Sequence, residues 1–167
     1  MKKVLGLGNA LTDMLLQVSE DDLRELGFPK GSMNLISMEQ AEQIQMRFAS
    51  VRKHMVAGGS ASNAINTIAA LGGKAAFIGK IGNDEVGDFY REDMLKNNVK
   101  PILLTSNKEM SGCSIVLITP DGERTFATYL GAASEMQADD IQKEAFLGYD
   151  IFHIEGYLVQ NHALIEK

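Results

Sequence analysis

The chain has 167 residues, of which 45% are hydrophobic and 23% charged, and its formal net charge is −6. This length and composition are typical of one folded domain and exclude a disordered chain. The acidic balance, without any dense run of Lys or Arg, argues against nucleic acid as a partner. No apolar stretch is long enough for a secretory signal or a membrane span, so we expect a cytoplasmic protein with no membrane partner.

The first half of the chain predicts alternating strands and helices. A buried strand is expected at 3–8 and a second extended piece at 14–18. Ser37, with Gln40 three residues later, is typical of a helix start, and the apolar spacing that follows predicts a helix over 38–52. A strand over 54–57 then leads into a glycine pair.

Beyond the glycine pair, we expect Ser60 to cap a helix that ends at Gly72-Gly73. A strand over 74–81 and a helix opened by acidic residues from 84 follow. From Val99 onward, short apolar runs separated by turn residues predict strands without helices, and Pro120-Asp121-Gly122 is typical of a hairpin. A strand at 150–154 and the first turns of a helix from 159 come last. The alternation predicts an α/β fold with a mainly parallel sheet, and the stretch of strands alone predicts a separate flap.

The glycine pair Gly58-Gly59 is the first candidate for ligand binding. Glycine lets main-chain N–H groups approach a small molecule closely, and Asn63, in the first turn of the helix, carries an amide suited to a hydroxyl. The alternative interpretation is an ordinary strand-to-helix turn.

Asn9 and Asp13 follow the first strand, where open α/β sheets expose ligand-binding groups at the carboxyl ends of their strands. An ionised Asp accepts hydrogen bonds through two oxygens, so it can hold two neighbouring hydroxyls, although Asp13 alone could equally cap a turn. Glu155 ends a later strand and is either a second hydroxyl acceptor or a solvated charge. Gly6-Leu7-Gly8 is similar to a dinucleotide fingerprint, but Leu11 stands where the third glycine should be.

Four segments carry a family resemblance. The longest is residues 58–90, GGSASNAINTIAALGGKAAFIGKIGNDEVGDFY, and the others are 6–13, 119–125 and 153–158. Together they resemble the ribokinase (PfkB) family of carbohydrate and nucleoside kinases. The serine after the glycine pair and the insert at 28–36 are similar to the adenosine-kinase branch.

The resemblance implies a three-layer Rossmann-like core with an incomplete, mainly parallel sheet and a small β-strand lid inserted at about 14–36 and 99–130. It implies that Asp13 holds a sugar diol. The implied substrate-binding set is Asn9, Asp13, Gly58, Gly59, Asn63 and Glu155, with Tyr129 and Leu130 as contacts from the lid.

The same resemblance implies ATP and Mg²⁺ as cofactors and a sugar or nucleoside as the small-molecule partner. In this family a Gly-Ala-Gly-Asp segment supplies an anion hole and a catalytic base, and Gly131-Ala132-Ala133-Ser134 is the nearest string here and lacks the Asp. We therefore expect residues 1–167 to be the N-terminal, substrate-binding portion of the kinase. The catalytic Asp would lie beyond Lys167, and this chain alone would be inactive.

Two alternatives come from other classes. The chain could be a non-catalytic small-molecule binding module, or a dimerisation module that pairs through the free edges of its lid strands. A dinucleotide oxidoreductase is disfavoured by Leu11. The single cysteine, Cys113, and the absence of a Cys/His cluster with ligand spacing predict no metal site in this chain.

Overall fold

The computed structural model describes residues 2–166, which form nine strands and five α-helices in addition to short 3₁₀ turns. The strands are β1 (Lys3–Leu7), β2 (Leu11–Gln17), β3 (Met33–Leu35), β4 (His54–Gly58), β5 (Lys74–Gly82), β6 (Val99–Ser106), β7 (Gly112–Ile118), β8 (Arg124–Tyr129) and β9 (Ile151–Ile154). The helices are α1 (Glu20–Leu26), α2 (Met38–Arg47), α3 (Ser60–Ala70), α4 (Glu85–Lys96) and α5 (His162–Glu166). No helix in this range is long and apolar enough to cross a membrane.

The core sheet consists of four parallel strands in the order β6-β5-β1-β9. Its two faces are both covered, as is usual for parallel sheets. One face packs against helices α3 and α4 through a cluster that includes Ile65, Phe77 and Met94. The other face, with Leu5 and Ile78, packs against the 3₁₀ segments and α5. The predicted α/β class with a mainly parallel sheet is therefore confirmed.

A second sheet of five strands lies beside the core, in the order β3-β8-β7-β2-β4. It mixes parallel and antiparallel pairs, because β2 runs parallel to β7 but antiparallel to β4. Helices α1 and α2 pack on one of its faces, where Leu16, Ile115 and Leu117 are almost fully buried. Asp13 lies on the other face, since side chains alternate along a strand.

Two strands fall in a different sheet from the one we predicted. The interval 99–130 was assigned as a whole to the flap, but residues 99–106 form β6, which pairs in parallel with β5 over its full length. Helix α4 connects β5 to β6, so these residues continue the strand–helix–strand alternation and belong to the core. Conversely, His54–Gly58 forms an edge of the second sheet, paired with β2.

Local capping signals explain most helix boundaries. Ser37 and Gln40 form the expected capping box, but α2 ends at Arg47 instead of reaching 52, since the Phe48 backbone, with φ −104° and ψ 26°, has left helical geometry. Helix α1 was not predicted, although Ser19 and Asp22 form a second capping box and Gly27 closes the helix in the left-handed conformation.

Candidate functional site

The glycine corner between β4 and α3 adopts a conformation that only glycine accepts without strain. Gly59 has φ +92°, and a Cβ added there would lie 2.4 Å from the carbonyl oxygen of Asn9. A Cβ on Gly58 would lie 2.3 Å from the Asp13 carboxyl carbon. The first glycine therefore makes room for the carboxylate, and the second brings the start of α3 against the loop after β1.

Glu155 connects the loop after β1 with the first turn of α3 through hydrogen bonds. It is 3% exposed. Its Oε1 accepts hydrogen bonds from the Asn9 backbone N–H at 2.7 Å and from Asn9 Nδ2 at 2.6 Å. Its Oε2 accepts from Ser60 Oγ at 2.9 Å and from the Ala61 N–H at 3.3 Å. Four protein donors therefore occupy the carboxylate, which is not the solvated charge that sequence analysis left open.

This arrangement changes two expectations from sequence analysis. Ser60 does not cap α3, because Gly59 is the N-cap residue and no side chain caps the helix; the Ser60 hydroxyl bonds to Glu155 instead. A direct contact between Glu155 and a ligand hydroxyl would have to displace one of its four donors. The geometry assigns Glu155 to holding Asn9 and the first turn of α3 in place.

Asn9 has one side-chain polar atom without a hydrogen-bond partner among the described residues. Its Nδ2 is committed to Glu155. Within residues 2–166 no group donates to its Oδ1, which leaves that oxygen free to accept a hydrogen bond. The parallel pairing of β1 with β9 brings Asn9 and Glu155 together, because both follow the carboxyl ends of neighbouring strands.

Asp13 lies on β2 directly against Gly58, and no described residue hydrogen-bonds to its carboxylate. Burial raises the pKa of Asp13 from 3.8 to about 6, and the positive charge of Arg124 opposes part of that shift. Arg124 begins β8 and shares the Asp13 face of the sheet through the β7–β8 register. The sequence analysis did not assign a role to Arg124, although the alternation of its hairpin places it there.

Asn63 lies one turn into α3, where its backbone N–H donates to the Gly59 carbonyl at 2.9 Å. Its side chain is exposed and makes no hydrogen bond to any other described residue. The amide therefore has both its donors and its acceptor available, at the same helix start that Gly59 and Ser60 form.

The predicted lid contact from Tyr129 is wrong. Asp13, Ser114 and Thr128 lie in register across three strands, so Tyr129, the next residue along, points to the opposite face. There it packs with the α2 cluster, and its hydroxyl donates to Glu109 at 2.7 Å. The predicted lid contact from Leu130 stays a prediction. The Leu130 carbonyl lies against Gly112, and the Leu11 side chain lies against the same glycine.

Helix α4 supports the glycine corner from behind, a feature that sequence analysis missed. The fully buried Tyr90 donates its hydroxyl hydrogen to the Gly58 carbonyl at 3.2 Å. Asp93 accepts from the Ala57 N–H at 2.9 Å. The end of β4 is thus held by two side chains one turn apart on a single helix, and a Tyr-x-x-Asp spacing on a helix was the signal available.

The face that carries Asp13 becomes an apolar wall toward its β3 edge. One row across the second sheet contains Leu35, Thr128, Ser114, Asp13 and Val56. The neighbouring row adds two residues of β3 and β8, Met33 and Phe126, on the same face. Leu35 is 65% exposed and Met33 is 50% exposed, so the wall is open to a ligand.

The described residues do not provide a side-chain site for Mg²⁺. Within 2–166 no group of three or more acidic, His or Cys side chains could hold a metal ion. Gly131-Ala132-Ala133-Ser134, the string nearest to the family's Gly-Ala-Gly-Asp, belongs to the 131–135 turn and contains no Asp.

Comparison with known families bears directly on this geometry. The family model described as pfkB family carbohydrate kinase matches residues 31–165. The chain belongs to this family. Among the solved structures, adenosine kinase from Sinorhizobium meliloti superposes with a TM-score of 0.82 at 32% identity, over 95% of this chain and 48% of that one. The fold expected from the resemblance is thereby confirmed.

Curated pfkB relatives act on different classes of acceptor, as their names state. Aminoimidazole riboside kinase of Salmonella typhimurium is 36% identical over 100 residues, which is 58% of this chain and 30% of that protein. Probable fructokinase-2 of Arabidopsis thaliana is 31% identical over 99 residues, again 58% of this chain and 30% of the relative. The chain thus spans about half the adenosine kinase structure, and its matches span less of the curated relatives. A carbohydrate or nucleoside kinase relationship is supported.

Proposed function

We propose that this chain is the substrate-binding portion of an ATP-dependent kinase that transfers the γ-phosphate to a hydroxyl of a nucleoside or sugar. The observation that carries the proposal is the juxtaposition of Asp13 with the glycine corner. A desolvated carboxylate with no hydrogen-bond donor among residues 2–166 lies beside two glycines, whose main chain carries no side chains to block a ligand. Such a carboxylate is matched by a pair of hydroxyls, which supply two donors and no charge.

The remaining residues contact or orient different parts of the acceptor. In the proposal Asp13 holds two ring hydroxyls, while Asn9 Oδ1 and the Asn63 amide contact the others. Glu155 maintains the orientation of Asn9 through its two hydrogen bonds to that residue. Positioning is the main demand of phosphoryl transfer, so a rigid corner suits the reaction.

We also propose that the acceptor is a nucleoside in preference to a free sugar. The apolar wall of Leu35, Met33 and Phe126 on the Asp13 face offers contact surface that a polyol cannot use but a nucleobase can. Aromatic and aliphatic contacts of this kind are favourable for flat ring systems. The 32% identity to an adenosine kinase supports the same choice.

The phosphate donor in this proposal is ATP with Mg²⁺, both held by residues outside 2–166. ATP would supply the transferred phosphoryl group and Mg²⁺ would neutralise its charge. The catalytic base would also come from outside this range, so the chain on its own is expected to bind the acceptor without turnover.

The test uses the full-length protein that contains this chain and measures ADP release with adenosine, ribose and fructose. We expect turnover with adenosine at the lowest KM. Asp13→Asn should raise that KM about 100-fold, since one of the two acceptor oxygens is replaced by an NH₂ donor and the remaining hydrogen bond is no longer to a charged group. Asp88→Asn, a change at an exposed carboxylate on α4, is the matched control and should leave KM unchanged. Wild-type kinetics in Asp13→Asn would remove Asp13 from the site.

A second candidate function is self-association without catalysis. The edge strand β3 exposes Leu35 and Met33, and unpaired strand edges invite pairing with another copy. Sedimentation of the protein with and without adenosine distinguishes the two functions. A dimer that adenosine does not affect, with no ADP release, would favour this alternative.

A further inference from the structure

A cavity lies at the opposite end of the core strands from the glycine corner. It has a volume of about 450 Å³, and lysine side chains from three neighbouring strands line it: Lys3 of β1, Lys74 of β5 and Lys100 of β6. The remaining wall is the segment 144–149, which crosses the amino ends of these strands. This volume falls in the range of small-molecule sites.

Strand register places the three lysines on one face. Lys3 is paired with Lys74, so their side chains point the same way. Lys100 is paired with Ala76, two residues beyond Lys74 and therefore on the same face. Because neighbouring strands are about 4.8 Å apart and Lys100 lies two residues, about 6.6 Å, further along, the three side chains originate within about 12 Å of one another.

The described residues balance the charges of this cluster only in part. None of the three lysines forms an ion pair with a described residue, in contrast to Lys30 or Lys80. Glu144 is the one acidic residue that lines the cavity. Asp150 lies close by, with one carboxylate oxygen accepting the Lys3 backbone N–H at 2.7 Å, so the three lysines face two carboxylates and keep a net positive charge. A local excess of positive charge in a chain of net charge −6 is a feature that an anion would stabilise.

We infer that this lysine cavity, lined by Lys3, Lys74 and Lys100, binds a small organic polyphosphate. Three lysine side chains on neighbouring strands suit a ligand with several phosphate oxygens better than a single carboxylate. Ile102 and Tyr149 supply apolar and aromatic surface for an attached organic group.

The lysine cavity is distinct from the proposed acceptor site. The cavity lies at the amino ends of β1 and β5, whereas Asn9 follows the carboxyl end of β1. With about 3.3 Å per residue, the length of β1 separates them by roughly 15 Å. A polyphosphate bound there cannot deliver a phosphoryl group to the glycine corner, so the inference does not depend on the proposed kinase reaction.

The test is calorimetric titration of the full-length protein with inorganic triphosphate at low ionic strength. We expect the double variant Lys74→Gln/Lys100→Gln to lose one bound triphosphate per chain, or to bind it at least 10-fold more weakly. Lys53→Gln/Lys108→Gln removes the same charge away from the amino ends of these strands and should leave binding unchanged. An equal loss in both double variants, or no loss in the first, would overturn the inference.

Two further measurements keep the result interpretable. Glu144→Gln removes the acidic residue from the wall and should tighten triphosphate binding several-fold, which a folding defect could not produce. Asp13→Asn should leave triphosphate binding at the lysine cavity intact, and Lys74→Gln/Lys100→Gln should leave the KM for adenosine intact. A Glu144→Gln protein with weaker binding would contradict the proposed site.

Discussion

Replacing Asp13 with Asn should stabilise the unliganded protein. The folded structure raises the pKa of Asp13 from 3.8 to about 6 through burial. At neutral pH the ionised carboxylate therefore lowers the free energy of unfolding. The rise in pKa from 3.8 to about 6 corresponds to about 3 kcal/mol. Asn keeps the shape of the side chain and carries no charge, so the variant should recover most of that amount.

The sign of the effect also predicts its pH dependence. A carboxyl group whose pKa is raised on folding destabilises the protein progressively as the pH rises from about 4 to above 6. Urea denaturation should show Asp13→Asn more stable than the wild type by about 3 kcal/mol at pH 7.5 and by about 1 kcal/mol at pH 4.5. Asp88→Asn should show no such difference. A variant that is equally or less stable than the wild type at pH 7.5, with a pH-independent difference, would refute the reasoning.

Three further substitutions test the architecture around the corner. Gly59→Ala should lower the free energy of unfolding, measured by urea denaturation, by about 3 kcal/mol or more, because the new Cβ meets the Asn9 carbonyl. Gly72 has a similar φ but open space around it, so Gly72→Ala should lower the free energy of unfolding by only about 1 kcal/mol. Glu155→Gln leaves an amide nitrogen facing donors and should lower stability by about 2–3 kcal/mol while weakening adenosine binding in calorimetry. Tyr90→Phe should cost about 1 kcal/mol by thermal unfolding and raise the KM for adenosine without changing kcat; an unchanged KM would leave Tyr90 a purely structural residue.

Features with a local cause were predictable from sequence. The Ser37 capping box, the strand–glycine–helix transition at 58–60 and the buried strand at 3–8 depend on residues close together in the chain. The fold class followed because alternating strands and helices admit few arrangements. Asn9 and Asp13 were singled out because carboxyl ends of parallel strands share one edge.

Features that depend on strand pairing were not predictable in the same way. The face on which Tyr129 lies depends on the register of β8 with β7, which a single sequence does not show. The membership of β6 in the core depends on its pairing with β5. The buried state of Glu155 arises from donors on Asn9, Ser60 and Ala61, which are far away in sequence. Only the folded chain brings these groups together.

A crystal structure of the protein with adenosine would test the acceptor site most directly. The account predicts two ribose hydroxyls within about 3 Å of the Asp13 carboxylate, with the base against Leu35 and Phe126. A nucleoside bound elsewhere, with the Asp13 carboxylate contacting no part of it, would contradict the account.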